Sequence, residues 1–461
     1  MNHPVPSPNH PNTPPAEENQ ELRRQIDALQ RDLERVRSKK EWMERTFSWK
    51  VTTPLRLLRQ WFRPLLRKSR APKNRQAPRG RPRDPVRTLR FTIDLPPATQ
   101  FQPPDRPLDR QHLDLHWIVP DFRPGAGGHM VIFKIMHLLE QEGHRHTLWI
   151  MNPNDHQSSE QTLATLHQHF FPIHPEIRLL NRDSVVDLVG DAVIATDRWT
   201  TYYARAALKV RAKFYFVQDF EPVFYPLGAE YLLTENTYHF GFQHIASSPW
   251  LKEKIQALGP YPVTTIDYAY DRQHYFLPKE KTPRQKNTIL FYSRGATPRR
   301  AVEIGFLAFS LLYRQRQDFQ LLFFGDQPKP YDLDFPFEDR GILSHRELGE
   351  LYREATLGVV FSATNISLIP KEMMACGLPV IDLNRPNTRL SLPPGTATLV
   401  DPDPRRIAQN LSHLLDHPEE RRQQAEKALA YVQQLTWEKA AAVFSQTRQK
   451  TIPTPSLTSD L

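Results

Sequence analysis

Apolar residues and loop-forming residues alternate regularly over the central and C-terminal parts of the chain. Residues 115–120 form a short apolar run that predicts a buried strand, and the glycine-rich stretch 125–128 follows it. A helical period then runs from 130 to 142, ends at Gly143, and gives way to a second apolar run at 147–150. This succession of strand, glycine-rich loop, helix and strand predicts the start of a doubly wound α/β domain.

The same alternation begins again near residue 276 and defines a second unit. The apolar runs predict strands at 192–195, 214–217, 288–292, 319–324, 357–361 and 379–382. Helices are predicted near 301–314, 347–354, 407–415 and 419–434, and a further helix is predicted to end at Ala375. We therefore expect an α/β fold with two Rossmann-like domains at 112–275 and 276–440, and a tail at 441–461. Such a fold places a ligand cleft between the domains, at the carboxyl ends of the strands.

The first 111 residues follow other patterns. Residues 1–16 are rich in Pro and Asn and are predicted to be disordered. Apolar residues then recur at alternating spacings of four and three, which predicts a coiled coil of about two heptads that serves a homodimer through residues 20–37, or else a solvated amphipathic helix. The residues of this stripe are Leu22, Ile26, Leu29, Leu33 and Val36. Residues 71–111 are rich in Pro and Arg and are predicted to be a linker.

Residues 41–70 combine aromatic and aliphatic side chains with interleaved arginines. Because Trp61 and Phe62 can enter the acyl boundary while arginine side chains reach the headgroups, this segment predicts a basic helix that binds an anionic membrane. A helix packed on the protein's own surface and a nucleic-acid contact are the alternatives. Together with the coiled coil, this helix forms an N-terminal extension over residues 17–70.

The formal net charge of +10 is concentrated in the N-terminal segment. Residues 1–90 hold 22 of the 61 basic residues and 9 of the 51 acidic ones, so the remainder, with 39 basic and 42 acidic residues, is close to neutral. The globular part therefore does not resemble a general nucleic-acid-binding protein, and no nucleic-acid partner is expected.

Cysteine content and hydropathy restrict the location. Cys376 is the single cysteine, which excludes an intrachain disulfide and a cysteine-rich metal site. No run of about 18 apolar residues predicts a transmembrane helix, and the first residues do not resemble a secretory signal. We expect a cytoplasmic protein that lies peripherally on the cytoplasmic membrane.

Motifs of independent chemical meaning are few. The sequence contains no nucleophile elbow, no Walker loop and no convincing metal-ligand spacing. Gly127, Gly128 and His129 follow the first predicted strand, where glycine lets the backbone approach a ligand and a helix N-terminus favours an anion. We predict that this loop lies near a diphosphate or an acceptor, although a glycine pair also forms ordinary turns.

The run from Leu368 to Val380 carries the most specific resemblance in the chain. With the segments 117–129, 218–226, 238–242, 293–299 and 362–379, it resembles the retaining family-4 glycosyltransferases of GT-B fold. Within that family, the chain is most similar to bacterial rhamnosyltransferases that build rhamnan and S-layer glycans. The likeness covers roughly residues 112–440.

The resemblance implies the reaction and its partners. It implies transfer of L-rhamnose from dTDP-L-rhamnose, with retention, to a cell-surface polysaccharide or a lipid-linked glycan. It also implies that no metal or other cofactor is needed. Without a metal, cations and backbone amides must stabilise the charge that develops on the leaving diphosphate.

The resemblance also assigns roles in the second domain. Arg294 and Arg299 match the basic pair that binds the diphosphate, although each alone is an ordinary surface charge and Arg300 is an alternative to Arg299. Glu372 matches the second glutamate of a Glu-to-Glu motif, which accepts hydrogen bonds from the ribose, while Thr364 stands where the first glutamate is expected. Further donor-binding residues are expected at Gly325, Gly341, Leu343, Asn365, Ser367, Leu368 and Ile369.

Polar and aromatic residues that follow strands of the first domain are candidates for the acceptor site. Asp197, Asp219 and Glu221 are candidate catalytic carboxylates, because a carboxylate can orient an acceptor hydroxyl and take its proton. Trp199 and Tyr225 are candidates for stacking on sugar rings. Surface carboxylates and packing aromatic rings explain the same residues equally well.

Two other functions compatible with this sequence are kept open. The first is the same enzyme class with a UDP- or GDP-sugar as donor. The second is a non-catalytic, membrane-associated scaffold with a degenerate transferase body, for which the threonine at position 364 is the only support.

Overall fold

A computed structural model gives the fold of residues 86, 89–95, 102–156, 158–180, 184–278, 287–327 and 331–452. Contacts divide the chain into the units Met1–Pro85 and Val86–Leu461, and all the described residues belong to the second unit. The predicted disordered segment 1–16, the coiled coil at 20–37 and the basic helix at 41–70 lie outside the described residues. Within these residues, no helix combines the length and the apolar character that crossing a bilayer requires.

The first domain is built on a parallel sheet of seven strands in the order β3-β2-β1-β4-β5-β6-β7. The strands are β1 (Asp114–Pro120), β2 (Arg145–Met151), β3 (Glu176–Leu180), β4 (Val189–Ala195), β5 (Lys209–Val217), β6 (Gln243–Ala246) and β7 (Val263–Thr265). The order reverses direction between β1 and β4, which is the doubly wound topology that the sequence predicts.

The second domain has a parallel sheet of six strands in the order β10-β9-β8-β11-β12-β13. The strands are β8 (Asn287–Tyr292), β9 (Phe319–Phe324), β10 (Glu338–Asp339), β11 (Leu357–Val359), β12 (Val380–Leu383) and β13 (Thr398–Val400). The predicted fold class of two Rossmann-like α/β domains is therefore confirmed.

Helices cover both faces of each sheet. They are α1 (Phe91–Asp94), α2 (Gly127–Gln141), α3 (Ser159–His169), α4 (Arg198–Ala206), α5 (Ala229–Asn236), α6 (Pro249–Gln256), α7 (Val302–Gln315), α8 (His345–Glu354), α9 (Ile369–Ala375), α10 (Pro386–Ser391), α11 (Pro404–Asp416), α12 (Pro418–Val432) and α13 (Trp437–Thr451). Short 3₁₀ turns occupy Ser184–Asp187, Glu221–Phe224, Thr237–His239 and Pro298–Arg300.

Each sheet is buried on both faces, which explains the continuous apolar runs in the sequence. Trp117 belongs to one core cluster of the first domain and its neighbour Ile118 to the other. In the second domain, Phe291 and Tyr292 divide in the same way. Since successive side chains of a strand point to opposite faces, both positions must be apolar when helices cover the two faces.

The segment predicted as a tail at 441–461 begins inside a helix. Helix α13 packs against the first domain, where Phe444 stacks on Trp117 with ring centroids 5.5 Å apart. The Ser445 hydroxyl donates to Glu142 Oε2 at 2.9 Å. The structure thus differs from the predicted tail up to Ile452, because the apolar face of α13 completes the core of the first domain.

The predicted linker at 71–111 also differs from the structure in its last part. Arg106 Nη2 lies 2.7 Å from a carboxylate oxygen of Asp114 and of the buried Asp191. Phe91 packs edge-on against Trp199 with centroids 5.4 Å apart. Residues 89–95 and 102–111 therefore pack on the first domain, and ion pairs and an aromatic contact hold them there.

Candidate functional site

Residues that follow strand ends in the two sheets meet at one seam between the domains. Since the strands of each sheet are parallel, their carboxyl ends lie at one edge. The segments that follow β5 and β6 in the first domain contact the segment that follows β11 in the second. The sequence predicts a ligand cleft between the domains, and this seam is where the carboxyl-end segments of the two sheets meet.

Asp219 forms the centre of the seam on the side of the first domain. Its Oδ2 accepts a hydrogen bond from the Thr364 hydroxyl at 2.8 Å, and its Oδ1 accepts from the backbone amides of Asn365 at 3.1 Å and Phe220 at 2.9 Å. The residue is 7% exposed, and burial raises the pKa of its carboxyl while the Arg299 charge opposes this rise. The structure thus places Asp219, a predicted catalytic carboxylate, in contact with the predicted donor-binding residues Thr364 and Asn365.

Asn365 connects the same loop to the end of β6. Its side-chain amide donates to the Gln218 carbonyl oxygen and to Ser247 Oγ, both at 2.9 Å. The Ser248 hydroxyl donates to Asn365 Oδ1 at 2.7 Å. Asn365 is 3% exposed, so these contacts fix the orientation of the loop that carries Thr364.

Three arginines follow β8 and differ in their surroundings. Arg299 lies over the Phe224 ring, with its guanidinium carbon 4.6 Å from the ring centroid, and its Nε is 3.3 Å from Asp219 Oδ2. Arg294 Nη1 donates to the Tyr292 hydroxyl at 3.5 Å. Both predicted diphosphate ligands are partly exposed.

The third arginine, Arg300, is nearly buried. It is 7% exposed, and its Nη1 donates to Ser362 Oγ at 3.4 Å. Its guanidinium carbon lies 5.9 Å from the centroid of the Tyr292 ring, whose hydroxyl contacts Arg294. Arg300 therefore packs beneath the Tyr292 ring that contacts Arg294. Of the two alternatives for the second diphosphate ligand, Arg299 is the one that lies at the seam, next to Asp219.

Glu372 lies in α9 and is 5% exposed. Burial raises the pKa of its carboxyl to about 8, the charge of Asp271 adds to this rise, and a hydrogen bond from Tyr275 opposes it. The Tyr275 hydroxyl also lies 2.8 Å from His345 Nδ1. The predicted ribose ligand is thus a buried carboxyl group next to Tyr275, and with a pKa of about 8 it is mostly protonated at neutral pH.

The residues around the start of α9 face in different directions. The Ser367 hydroxyl is buried and has no hydrogen-bond partner among the described residues. Leu368 packs against the core cluster of the first domain, whereas Ile369 packs against the core of the second. Two residues further on, Lys371 Nζ donates to the carbonyl oxygen of Tyr268, in the first domain, at 2.8 Å. Of the three predicted donor residues Ser367, Leu368 and Ile369, Ser367 is the one with a polar side chain, and that hydroxyl has no partner among the described residues.

The glycines of the second domain are required by the backbone. Gly325 has φ +103°, and a Cβ atom there would lie 2.3 Å from Cε2 of Tyr292. Its amide donates to the Gly341 carbonyl oxygen at 2.8 Å, and Gly341 has φ +65°. Leu343 packs against the core of the domain. The two predicted glycines therefore form one backbone contact beyond β9.

Gly127, Gly128 and His129 lie in the first turn of α2, which corrects the prediction of a loop at these positions. The helix begins earlier than its apolar period because Ala126 is already extended and acts as the N-cap. His129 Nε2 is 3.3 Å from the Pro120 carbonyl oxygen, and burial lowers the pKa of this imidazole to about 4. The Gly128 carbonyl oxygen accepts from Gln218 Nε2 at 3.1 Å, so this helix start adjoins the seam.

Asp197 and Glu221 both bind the start of helix α4. Asp197 is its N-cap and accepts from the Thr200 amide at 2.8 Å, while Glu221 Oε2 accepts from the Arg198 amide at 2.8 Å. Burial, followed by the charge of Asp197, raises the pKa of Glu221 to about 8. Since carboxylates at a helix N-terminus stabilise the helix, this geometry gives both groups a structural task.

Trp199 and Tyr225, the predicted acceptor-stacking rings, both contact Arg198, which lies beside the pair. The guanidinium carbon of Arg198 lies 4.9 Å from each ring centroid. The two rings are 6.4 Å apart and tilted by 50°. The structure therefore brings the two predicted aromatic residues together, beside an arginine that the sequence analysis did not single out.

Several residues that lie at or near the seam were not identified from the sequence. For one of them, Ser248, the sequence pattern could have indicated its structural role. Ser248 precedes Pro249 and caps helix α6, which is the usual order of residues at a helix start. Gln218, Lys371 and Tyr275 offered no such signal, because their roles depend on partners that are distant in the sequence.

One group of side chains has the composition of a metal site. His413, His417 and Glu420 offer ligand atoms within 4.8 Å of one another and are all exposed. His413 Nε2 lies 2.9 Å from Glu420 Oε2. The group lies at the junction of α11 and α12, and none of its members contributes to the seam.

The two parallel sheets and the seam between them have the GT-B fold of glycosyltransferases. Sucrose-phosphate synthase from Thermosynechococcus elongatus superposes with a TM-score of 0.56 at 16% identity, over 73% of this chain and 98% of that chain. Anabaena Alr3699/HepE in complex with UDP-glucose superposes with a TM-score of 0.56 at 15% identity, over 74% of this chain and 99% of that chain. WaaG, a glycosyltransferase involved in lipopolysaccharide biosynthesis, superposes with a TM-score of 0.54 at 12% identity, over 72% of this chain and 98% of that chain. Identities this low establish the fold alone.

Sequence comparison adds two relatives. The family described as WsaF, C-terminal domain, matches residues 287–412. The O-antigen biosynthesis protein RfbC of Myxococcus xanthus is 31% identical over 275 residues, which is 57% of this chain. The matched region spans about a fifth of RfbC, 21% of its length.

Proposed function

We propose that this protein is a glycosyltransferase that transfers a sugar from a nucleotide-activated donor to a glycan during polysaccharide synthesis. The observation that carries the proposal is the position of Arg299 at the seam of a GT-B fold, next to the loop of Thr364 and Asn365. The similarity to a protein of O-antigen biosynthesis supports the polysaccharide product.

The second domain offers the groups that a nucleotide diphosphate requires. Arg294 and Arg299 are partly exposed cations at the carboxyl edge of the sheet, where they can neutralise the leaving diphosphate. Glu372 offers oxygen acceptors for ribose hydroxyls, and the backbone around Gly341 lies at the end of the neighbouring strand. Mutual orientation of donor and acceptor by the two domains would supply much of the catalysis.

The finer assignment is transfer of L-rhamnose from dTDP-L-rhamnose, with retention and without a metal or other cofactor. It is supported by the resemblance of residues 218–242 and 293–299 to bacterial rhamnosyltransferases. The acceptor is proposed to be a cell-surface polysaccharide or a lipid-linked glycan. A UDP-sugar is the second candidate donor, because the structurally similar HepE was crystallised with UDP-glucose.

A panel of nucleotide sugars tests this proposal directly. Purified protein incubated with a glycan acceptor and dTDP-L-rhamnose is expected to release dTDP, with UDP-glucose and a GDP-sugar as the other members of the panel. Thermal shifts with the free nucleotides give an independent measure of binding. If none of the nucleotides binds and none of the sugars is transferred, the chain is a scaffold and the proposal fails.

Nucleotide affinity is expected to increase with pH because of Glu372. Its carboxyl group has a pKa of about 8, so about one tenth is ionised at pH 7, and ionisation improves it as an acceptor for the hydroxyl groups on the nucleotide's ribose or deoxyribose. Calorimetric titrations with dTDP and UDP should show affinity rising by up to about tenfold between pH 7 and pH 9.

The control for this pH dependence is Glu372→Gln, which cannot ionise. Burial also lowers the pKa of Lys371 to about 8, so the profile of the variant is needed to subtract that contribution. The folded protein holds the Glu372 proton more tightly than the unfolded chain, so this residue also lowers stability as pH rises from about 4.5 to about 8. A profile that is the same in both proteins would contradict the role of Glu372.

We also propose that the N-terminal segment binds the anionic cytoplasmic face of the membrane, where a lipid-linked acceptor would lie. Co-sedimentation with anionic vesicles is expected for the full chain and is expected to be lost when residues 41–70 are deleted. Vesicles of neutral lipid serve as the control. Undiminished binding after the deletion would show that this segment is not the membrane contact.

A further inference from the structure

Asp219 and Arg299 lie next to each other at the seam without completing a hydrogen bond. Arg299 Nε is 3.3 Å from Asp219 Oδ2, yet this buried nitrogen has no hydrogen-bond partner among the described residues. A carboxylate offers about four acceptor positions, and three donors occupy those of Asp219: the Phe220 amide, the Asn365 amide and the Thr364 hydroxyl. One acceptor position of Asp219 and the Nε–H group of Arg299 are therefore unused among the described residues, and the Oδ2 and Nε atoms lie 3.3 Å apart.

The group that matches such a pair is a hydroxyl, because it donates to the carboxylate and accepts from the guanidinium at the same time. Sugar hydroxyls have this capacity, whereas a phosphate oxygen would be repelled by the carboxylate. The location also fits a sugar, because Arg299 is one of the two arginines assigned to the diphosphate that carries it.

We propose that Asp219 and Arg299 form a clamp for one hydroxyl of the transferred sugar, with the carboxylate contributed by the first domain. Thr364 orients the carboxylate by donating to Asp219 Oδ2. The inference rests on the proposed function and adds to it that donor-sugar recognition requires both domains. It also gives the threonine at position 364 a role, since the Asp219 carboxylate lies across the seam next to the position at which the resemblance implies a glutamate.

Binding of a nucleotide sugar, compared with binding of its free nucleotide, isolates this contact. Asp219→Asn should lower the affinity for dTDP-L-rhamnose or UDP-glucose, whichever the wild type binds, by about tenfold or more, because a hydrogen bond to a charged group is lost. Its affinity for dTDP or UDP should fall less, so the ratio of nucleotide-sugar affinity to nucleotide affinity should decrease, because the free nucleotide lacks the sugar. A purely structural role of Asp219 would lower both affinities together and would overturn the proposal.

Exchange of the two seam residues gives a second, independent test. Asp219→Thr and Thr364→Glu should each lose sugar-dependent affinity, the first because the carboxylate is missing and the second because two carboxylates then oppose each other. The double variant carries one carboxylate and one hydroxyl across the seam, and we expect it to recover about tenfold or more relative to the weaker single variant. A double variant that is no better than the weaker single variant would overturn the proposal, and the exchange also decides the matter if Asp219→Asn does not fold.

The outcome for the wild type separates this inference from the proposed function. A wild-type protein that binds no nucleotide and no nucleotide sugar contradicts the proposed function itself. A wild-type protein that binds the nucleotide sugar more tightly than the nucleotide, with the same preference retained in Asp219→Asn, contradicts only the clamp.

Discussion

Arg299→Ala is expected to lower the rate of sugar transfer by about 100-fold or more. The guanidinium is the positive group at the seam that lies next to Asp219 and over the Phe224 ring, so it is held in place before the donor arrives. A preorganised cation that faces developing negative charge on a leaving diphosphate contributes on the order of 10²–10³ in rate. Initial rates of nucleotide release, measured with the donor identified by the panel, check this expectation.

The matched control is Arg314→Ala, in the last turn of α7. The Arg314 side chain is 68% exposed and pairs with Asp334 at 2.7 Å, so its removal should leave the rate within about twofold, as expected for a surface ion pair. Arg299→Lys keeps the charge but loses the planar Nε–H group and should recover only part of the activity. Equal rates for Arg299→Ala and Arg314→Ala would remove Arg299 from the donor site and the principal support for the proposed function.

The parts of the fold that were predictable are those that local sequence determines. The runs at 288–292 and 319–324 are apolar apart from Thr288 and Gln320, so a strand covered on both faces was the natural interpretation, and the structure has strands there. Short strands such as Val263–Thr265 and Glu338–Asp339 were missed, because they have three and two residues and carry no distinct apolar period.

The sequence predicts which strand or helix carries each residue of the candidate site, but not which of these residues contact one another. The sequence indicates that Asp219 and Thr364 each follow a strand, and nothing local shows that they meet across 145 residues. Conversely, the buried carboxyl group of Glu372 could be placed on a helix, but the rise of its pKa to about 8 depends on burial against the tertiary structure.

Phe444→Ala is expected to destabilise the protein by about 3–5 kcal/mol, which is the usual cost of removing a fully buried phenylalanine. The Phe444 ring is fully buried among Trp117, Phe214 and Phe216, with centroid distances of 5.5, 6.4 and 6.2 Å. Helix α13 thus contributes Phe444 to the core of the first domain. Urea unfolding followed by the fluorescence of Trp117 and the other tryptophans measures the change, with Leu307→Ala as the control because Leu307 is 59% exposed on α7. The control should change stability by less than about 0.5 kcal/mol. If Phe444→Ala is equally mild, helix α13 is not part of that core, and residues from 441 onward behave as the tail that the sequence predicts.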